Sequence, residues 1–304
     1  MNEHHFGRIT MTTVGIAGLG RMGGAMGLHL LEQGYTVVVW NRSAAKAEPL
    51  KAAGATVAAS PKALAEAADV VITSLTDDKA AMECFHRADG LLAGASAKTL
   101  FVETTTTSPD TARALAAAVA KTGAVMLDCP VQGSADAARK GQLLAMVGGD
   151  AAALDKARPV IEAFTRKLFH LGPVGSSAAL KLAVNTGIAT YAAFLGEATR
   201  LCALEGVDPN AVYDVIAEGP MATPILKGKM AILKGEGDPN AVPASDIDLF
   251  LKDASAALIL AAQHRAALPV AAATQALLSD AAKAGWGPCD YGDLPAYARS
   301  GKPR

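Results

Sequence analysis

The stretch that most limits what this chain can fold into is Val14-Gly15-Ile16-Ala17-Gly18-Leu19-Gly20-Arg21-Met22-Gly23. An apolar run in the style of a buried parallel strand passes straight into Gly-x-Gly-x-x-Gly, and a helical segment from Arg21 to Gln33 follows. Gly18 allows a tight turn. Gly20 has no side chain, so a pyrophosphate can approach the backbone. Gly23 lets the helix pack close on the strand. The helix start, with Leu19, Arg21 and Met22 around it, offers N–H groups and a partial positive charge to phosphates. The motif alone is weak, since Gly-rich turns are common. Its strand–turn–helix setting makes dinucleotide binding the reading, against an ordinary tight turn.

The same alternation continues. Short apolar runs at residues 36–40, 56–57, 69–75, 100–103, 124–128 and 143–147 alternate with helical segments. Ser60-Pro61 and Ser108-Pro109 each place Ser at an N-cap and Pro in the first turn. A last run at 167–170 is expected to close the sheet. The pattern predicts βαβ units and a mostly parallel sheet, with ligands beyond the carboxyl ends of the strands. Three strand ends then face one crevice: Gly18-Leu19-Gly20, Leu75-Thr76 and Glu103 to Thr106.

Gly172-Pro173-Val174-Gly175 breaks the alternation. Beyond it come a long Ala/Leu-rich helix, 176–205, and further helical segments at 210–218, 224–234, 246–266 and 269–284, punctuated by Pro and Gly. The division expected is a flexible extension at 1–11, a dinucleotide-binding domain at 12–174 and an all-α domain at 175–304.

Composition narrows the partners. Lys and Arg number 28 against 29 for Asp and Glu. This balance points away from nucleic acid and anionic membranes. Cys84, Cys129, Cys202 and Cys289 lie far apart without a Cys-x-x-Cys pair, as expected of reduced thiols in a cytoplasmic protein. Residues 1–11 have no apolar core of a signal peptide, and no apolar run reaches transmembrane length without a charge or a Gly/Pro interruption.

Cofactor choice is read at the end of the second strand. An NAD-specific fold places Asp or Glu there for the ribose 2′-OH; this chain has Asn41-Arg42-Ser43, and the next acid is Glu48. Arg42 suits a 2′-phosphate, with Asn41 and Ser43 as further donors, so NADP(H) is the preferred cofactor and NAD the alternative. A solvated Arg in a turn is the plainer reading.

Lys181 and Asn185 stand four apart and share a helix face among apolar neighbours. A lysine on such a face suits proton transfer, and equally suits a snorkelling stem over apolar surface. Spacing alone leaves both open.

From Val14 to Asp290 the chain resembles the β-hydroxyacid dehydrogenase family, which includes 3-hydroxyisobutyrate dehydrogenase, tartronate semialdehyde reductase and glyoxylate/succinic semialdehyde reductases. Gly18-Leu19-Gly20-Arg21-Met22-Gly23 is similar to the family's cofactor turn. Asp128-Cys129-Pro130-Val131-Gln132-Gly133-Ser134 is similar to its substrate-binding segment. Gly172 through Lys181 to Asn185 is similar to its catalytic signature, and Phe250-Leu251-Lys252-Asp253 to the Lys-Asp pair of its helical domain. The resemblance implies a Rossmann-type, doubly wound α/β domain joined by a long helix to an all-α domain. It implies Lys181 as general acid/base, Asn185 beside the substrate, and Gln132, Gly133 and Ser134 on a small carboxylate-bearing substrate. It further implies Thr106 on the nicotinamide side of the cofactor, Lys252 reaching the cofactor, and a homodimer or homotetramer, while Leu75 and Thr76 are expected along the cofactor from their place at a strand end.

Two departures stand out. Gln132 replaces the family's usual Ser, which reshapes the carboxylate pocket. Ser177 replaces a Gly of the signature, which alters the helix start. Related imine reductases lack the lysine, so Lys181 favours a carbonyl or hydroxyl substrate. An imine-reductase-like or bulkier-substrate enzyme is the alternative, and a non-catalytic dinucleotide sensor a further one. Asp246, Asp248 and Asp253 with His264 read as a solvated helix face rather than a metal site, and no metal is expected. Cys129 reads as a small buried filler.

Overall fold

β-Branched runs too short for a helix become strands because each can bury both faces under flanking helices. In a computed structural model, which describes residues 12–238, 241–243 and 245–301, six such runs form one parallel sheet. They are β1 (Thr13–Ala17), β2 (Thr36–Trp40), β3 (Thr56–Val57), β4 (Val70–Thr73), β5 (Leu100–Glu103) and β6 (Val125–Asp128). Their order is β3-β2-β1-β4-β5-β6, so the direction of winding reverses between β1 and β4. The extension expected at 1–11 lies outside the described residues.

Alternate strand residues feed two cores. Val14, Ile16, Val37, Val39, Ile72, Val102 and Leu127 belong to one; Val38, Val71, Phe101 and Met126 belong to the other. Both faces are therefore covered, and the doubly wound α/β expectation is borne out.

Two of the expected runs, 143–147 and 167–170, lie outside the main sheet. The run at 167–170 does not close the main sheet. It forms β9 (Thr165–His170) of a separate three-stranded sheet, with β7 (Val131–Gln132) and β8 (Leu143–Val147) in the order β7-β8-β9. β7 runs antiparallel to β8. The cause lies after β6, where Pro130 has no N–H to continue a ladder and the chain reverses. β7 is only two residues long, too short to register as a periodic pattern.

The chain divides into two compact units, Met1–Lys181 and Leu182–Arg304. The division falls inside the long helix, Ser176–Ala203. That helix is long and apolar enough, by length and composition alone, to cross a bilayer. Its residues Ala189 and Ala192 are instead packed in a core with Ile247, Phe250, Ala254 and Leu278 of the helical unit. The remaining long helices of that unit are Pro209–Glu218, Pro224–Leu233, Ile247–Gln263 and Pro269–Ala281. Asp208, Thr223 and Asp246 cap the first three through backbone N–H groups.

Candidate active site

The glycine turn is built for close approach. Gly18 has φ +97°, and a Cβ there would lie 2.3 Å from the Ser74 carbonyl oxygen. A Cβ on Gly23 would lie 2.0 Å from the Gly18 oxygen. These two glycines are demanded by the protein itself. Gly20 is different, because a Cβ on it would meet nothing within 4 Å. The space beside Gly20 is open, as a pyrophosphate would need.

The helix that follows, Arg21–Glu32, has no side-chain cap and no acid in its first turn. The helices beginning at Pro61, Asp78, Pro109, Ala135 and Ala151 are all capped, by Ser60, Asp77, Ser108, Ser134 and Asp150. The amides at the start of Arg21–Glu32 keep their positive end for an anion. Leu19 is buried, Met22 packs against the core and Arg21 is exposed.

The Asn41-Arg42-Ser43 turn lies beside this loop. The Leu19 N–H donates to Asn41 Oδ1 at 2.9 Å, and Asn41 Nδ2 donates to the Ser43 oxygen at 2.9 Å. Asn41 thus braces the glycine turn against the end of β2. Arg42 and Ser43 are exposed, and Arg42 makes no ion pair or hydrogen bond to another described residue.

The ends of β4 and β5 are stitched together. The Leu75 N–H donates to Thr105 Oγ1 at 3.0 Å, and the Thr105 N–H donates to Glu103 Oε1 at 2.7 Å. Thr76 is exposed and Thr106 half-buried at the same edge. Glu103 is completely buried, and its Oε2 has no hydrogen-bond partner among the described residues. Burial pushes its carboxyl up to about 7, the Thr105 bonds pull back, and the charge of Asp128 on the neighbouring strand adds to the rise.

The expected substrate segment folds across the first turns of the long helix. Lys181 Nζ donates to the Val131 oxygen at 2.9 Å and to Gln132 Oε1 at 2.6 Å. Gly133 has φ +137°, where a Cβ would press on Leu143. Ser134 caps the short helix 135–139, its Oγ accepting from the Ala137 N–H at 3.2 Å. Asp128 is buried at the end of β6, and its Oδ2 accepts from the Gly175 and Ala178 N–H groups at 3.0 and 3.1 Å. Cys129 is fully buried, and burial raises its thiol far above the usual range, so it is no nucleophile.

The helical unit holds a second polar cluster. Asn185 Nδ2 donates to Asp253 Oδ2 at 2.6 Å, and Lys252 Nζ lies 3.1 Å from Asp253 Oδ1. Asp253 is 1 % exposed. The solvated face read from the acid spacing therefore does not hold for this residue. Asp246 caps its helix and Asp253 turns inward toward Asn185. Sequence reasoning assigned no role to Asp253, Glu103 or Asp128. The signal for Glu103 and Asp128 was an acid at a strand end, and for Asp253 the Lys-Asp pair on its helix; in each case a buried charge has to find partners.

Comparisons with known proteins agree with this fold. Residues 13–172 match the family described as the NAD binding domain of 6-phosphogluconate dehydrogenase. Residues 175–294 match the one described as NAD-binding of NADP-dependent 3-hydroxyisobutyrate dehydrogenase. Glyoxylate/succinic semialdehyde reductase 2 of Arabidopsis thaliana is 30% identical over 292 residues, 96% of this chain and 81% of the relative. The NAD-dependent L-serine dehydrogenase of Pseudomonas aeruginosa is 37% identical over 206 residues, 68% of this chain and 69% of the relative. The solved 3-hydroxyisobutyrate dehydrogenase of Mycobacterium tuberculosis with L-serine superposes with a TM-score of 0.84 at 27% identity, covering 96% of this chain and 100% of that one.

The fold, the open glycine turn and the uncapped helix suit a dinucleotide, and the relatives make the class that of nicotinamide-dinucleotide-dependent oxidoreductases with a helical second domain. Within that class, the chain belongs to the β-hydroxyacid dehydrogenase family.

Proposed function

We propose that this enzyme is an NADP(H)-preferring reductase of small semialdehydes or 3-oxo acids, working reversibly on the matching 3-hydroxy acids, with Lys181 as general acid/base. The observation that carries the reading is the lysine's position. Its ammonium is held 2.6 Å from Gln132, in the segment expected to bind substrate. Glyoxylate, succinic semialdehyde, L-serine and 3-hydroxyisobutyrate, in the names of the relatives, are all short carboxylates with an oxygen on carbon.

A bound nicotinamide dinucleotide supplies or takes up the hydride. Gly18, Gly20 and Gly23 with the uncapped helix are assigned its pyrophosphate, Arg42 and Ser43 its 2′-phosphate, and Leu75, Thr76 and Thr106 the strand ends alongside it. Lys181 carries a proton on Nζ and gives it to the substrate oxygen as the carbonyl becomes an alcohol; in oxidation it takes that proton back. Gln132, Gly133 and Ser134 hold the substrate carboxylate. The family resemblance assigns Asn185 to the substrate and Lys252 to the cofactor. Such orientation accounts for much of the rate in reactions of this kind.

Leu201, Leu204 and Val215 of the helical unit are 67%, 77% and 73% exposed. We read them as part of a homodimer or homotetramer contact, to be checked by light scattering.

The test is NADPH consumption with a panel of small semialdehydes. Lys181→Ala is expected to lower turnover by about 10²- to 10⁴-fold. Near-normal turnover in that variant removes the assignment.

A further inference from the structure

Asp128 closes β6, and its side chain turns to the start of the long helix rather than to solvent. Its Oδ2 accepts from the backbone N–H groups of Gly175 and Ala178, and Ser177 Oγ lies within hydrogen-bond distance of both Oδ2 and the Asp128 carbonyl oxygen, the latter at 2.8 Å. One hydroxyl hydrogen is shared between those two acceptors. Asp128 and Ser177 are 1% and 0% exposed. A Cβ on Gly148 would come within 2.4 Å of Asp128 Oδ1, so the carboxylate is boxed in by backbone as well.

Ser177 stands one helical turn before Lys181. Three and four residues beyond Asp128, Val131 and Gln132 hold the other end of that lysine. The segment 128–132 therefore grips the helix twice, once at its first turn and once at the ammonium. A carboxylate suits the first grip, since it meets the positive end of the helix and accepts several N–H groups at once.

We propose that Asp128 and Ser177 are positioning residues, a clamp that fixes the helix start and through it the placing of the Lys181 ammonium against the substrate segment. The hydroxyl is this chain's own addition, because glycine at 177 cannot make the bond. The proposal rests on the reading of Lys181 as the acid/base and deepens it.

The clamp predicts a loss confined to chemistry. In Ser177→Ala, turnover per NADPH-binding site falls on the order of tenfold. The NADPH dissociation constant and the carbonyl substrate KM stay within about twofold of the parent values, since the altered bond contacts neither ligand. The isotope effect with 4-deuterated NADPH rises as the chemical step becomes limiting. A merely structural role would reduce the number of binding sites and the melting temperature, with turnover per site and isotope effect unmoved.

Ser177→Gly, which installs the family's usual residue, serves as a second variant should alanine impair folding, and the same loss is expected. In a Lys181→Ala background Ser177→Ala should add no further loss. An equal additional loss there, or unchanged turnover per site in both Ser177 variants while Lys181→Ala is inactive, overturns the clamp alone. Near-normal turnover in Lys181→Ala overturns the lysine assignment and the clamp with it.

Discussion

Glu103→Gln should make the sheet-bearing unit more stable at neutral and alkaline pH and leave it unchanged in acid. Glu103 is completely buried, and its carboxyl is raised from 4.5 to about 7. The folded state therefore binds the proton more tightly than the unfolded chain does. The stability this contributes is fully present below about pH 4.5 and is lost as pH rises through about 7. The shift corresponds to about 3 kcal/mol, at 1.36 kcal/mol per pH unit. Glutamine keeps an oxygen for the Thr105 N–H bonded at 2.7 Å and removes the buried charge beside Asp128.

The assay is urea unfolding at pH 5, 7 and 8.5 in a Trp286→Phe background, so that Trp40 of β2 reports this unit alone. At pH 8.5 the variant should exceed the parent by about 3 kcal/mol, or about 6 to 12 °C in melting temperature for a unit of this size. The two should converge at pH 5. Parallel pH profiles, or a variant less stable at pH 8.5, would refute the reasoning.

The glycines of the cofactor turn should separate by what surrounds them. Gly20→Ala meets no protein atom within 4 Å, so its melting temperature should match the parent while NADPH binding, measured by fluorescence titration, weakens on the order of tenfold or more. Gly23→Ala would drive a methyl to 2.0 Å from the Gly18 oxygen, and should cost about 3 kcal/mol of stability along with cofactor binding. Gly24→Ala, whose nearest contact is 3.9 Å, should lose neither. Arg42→Ala should weaken NADPH about ten- to a hundredfold and leave NADH nearly unchanged, as expected for charge-assisted bonds to a 2′-phosphate. Equal losses for both cofactors would show that Arg42 does not read that phosphate.

What the sequence by itself determined is what contiguous residues can enforce. The strand–glycine–helix unit at Val14–Gly23, the Ser-Pro helix starts and the change of style at Gly172–Gly175 are local patterns. Their geometry follows from backbone sterics and capping within a few residues. The parallel α/β sheet with an all-α second domain followed from them. Tertiary structure alone decided which distant residues became neighbours. Gln132 and Lys181 are 49 positions apart, and so are Asp128 and Ser177. Asn185 and Asp253 are 68 apart. Glu103 and Asp128 face each other only because β5 pairs with β6. A buried acid is stable only where the fold brings donors or a counter-charge to it. No local pattern announces such a meeting, so the roles of Glu103, Asp128 and Asp253 stayed hidden until the chain was folded.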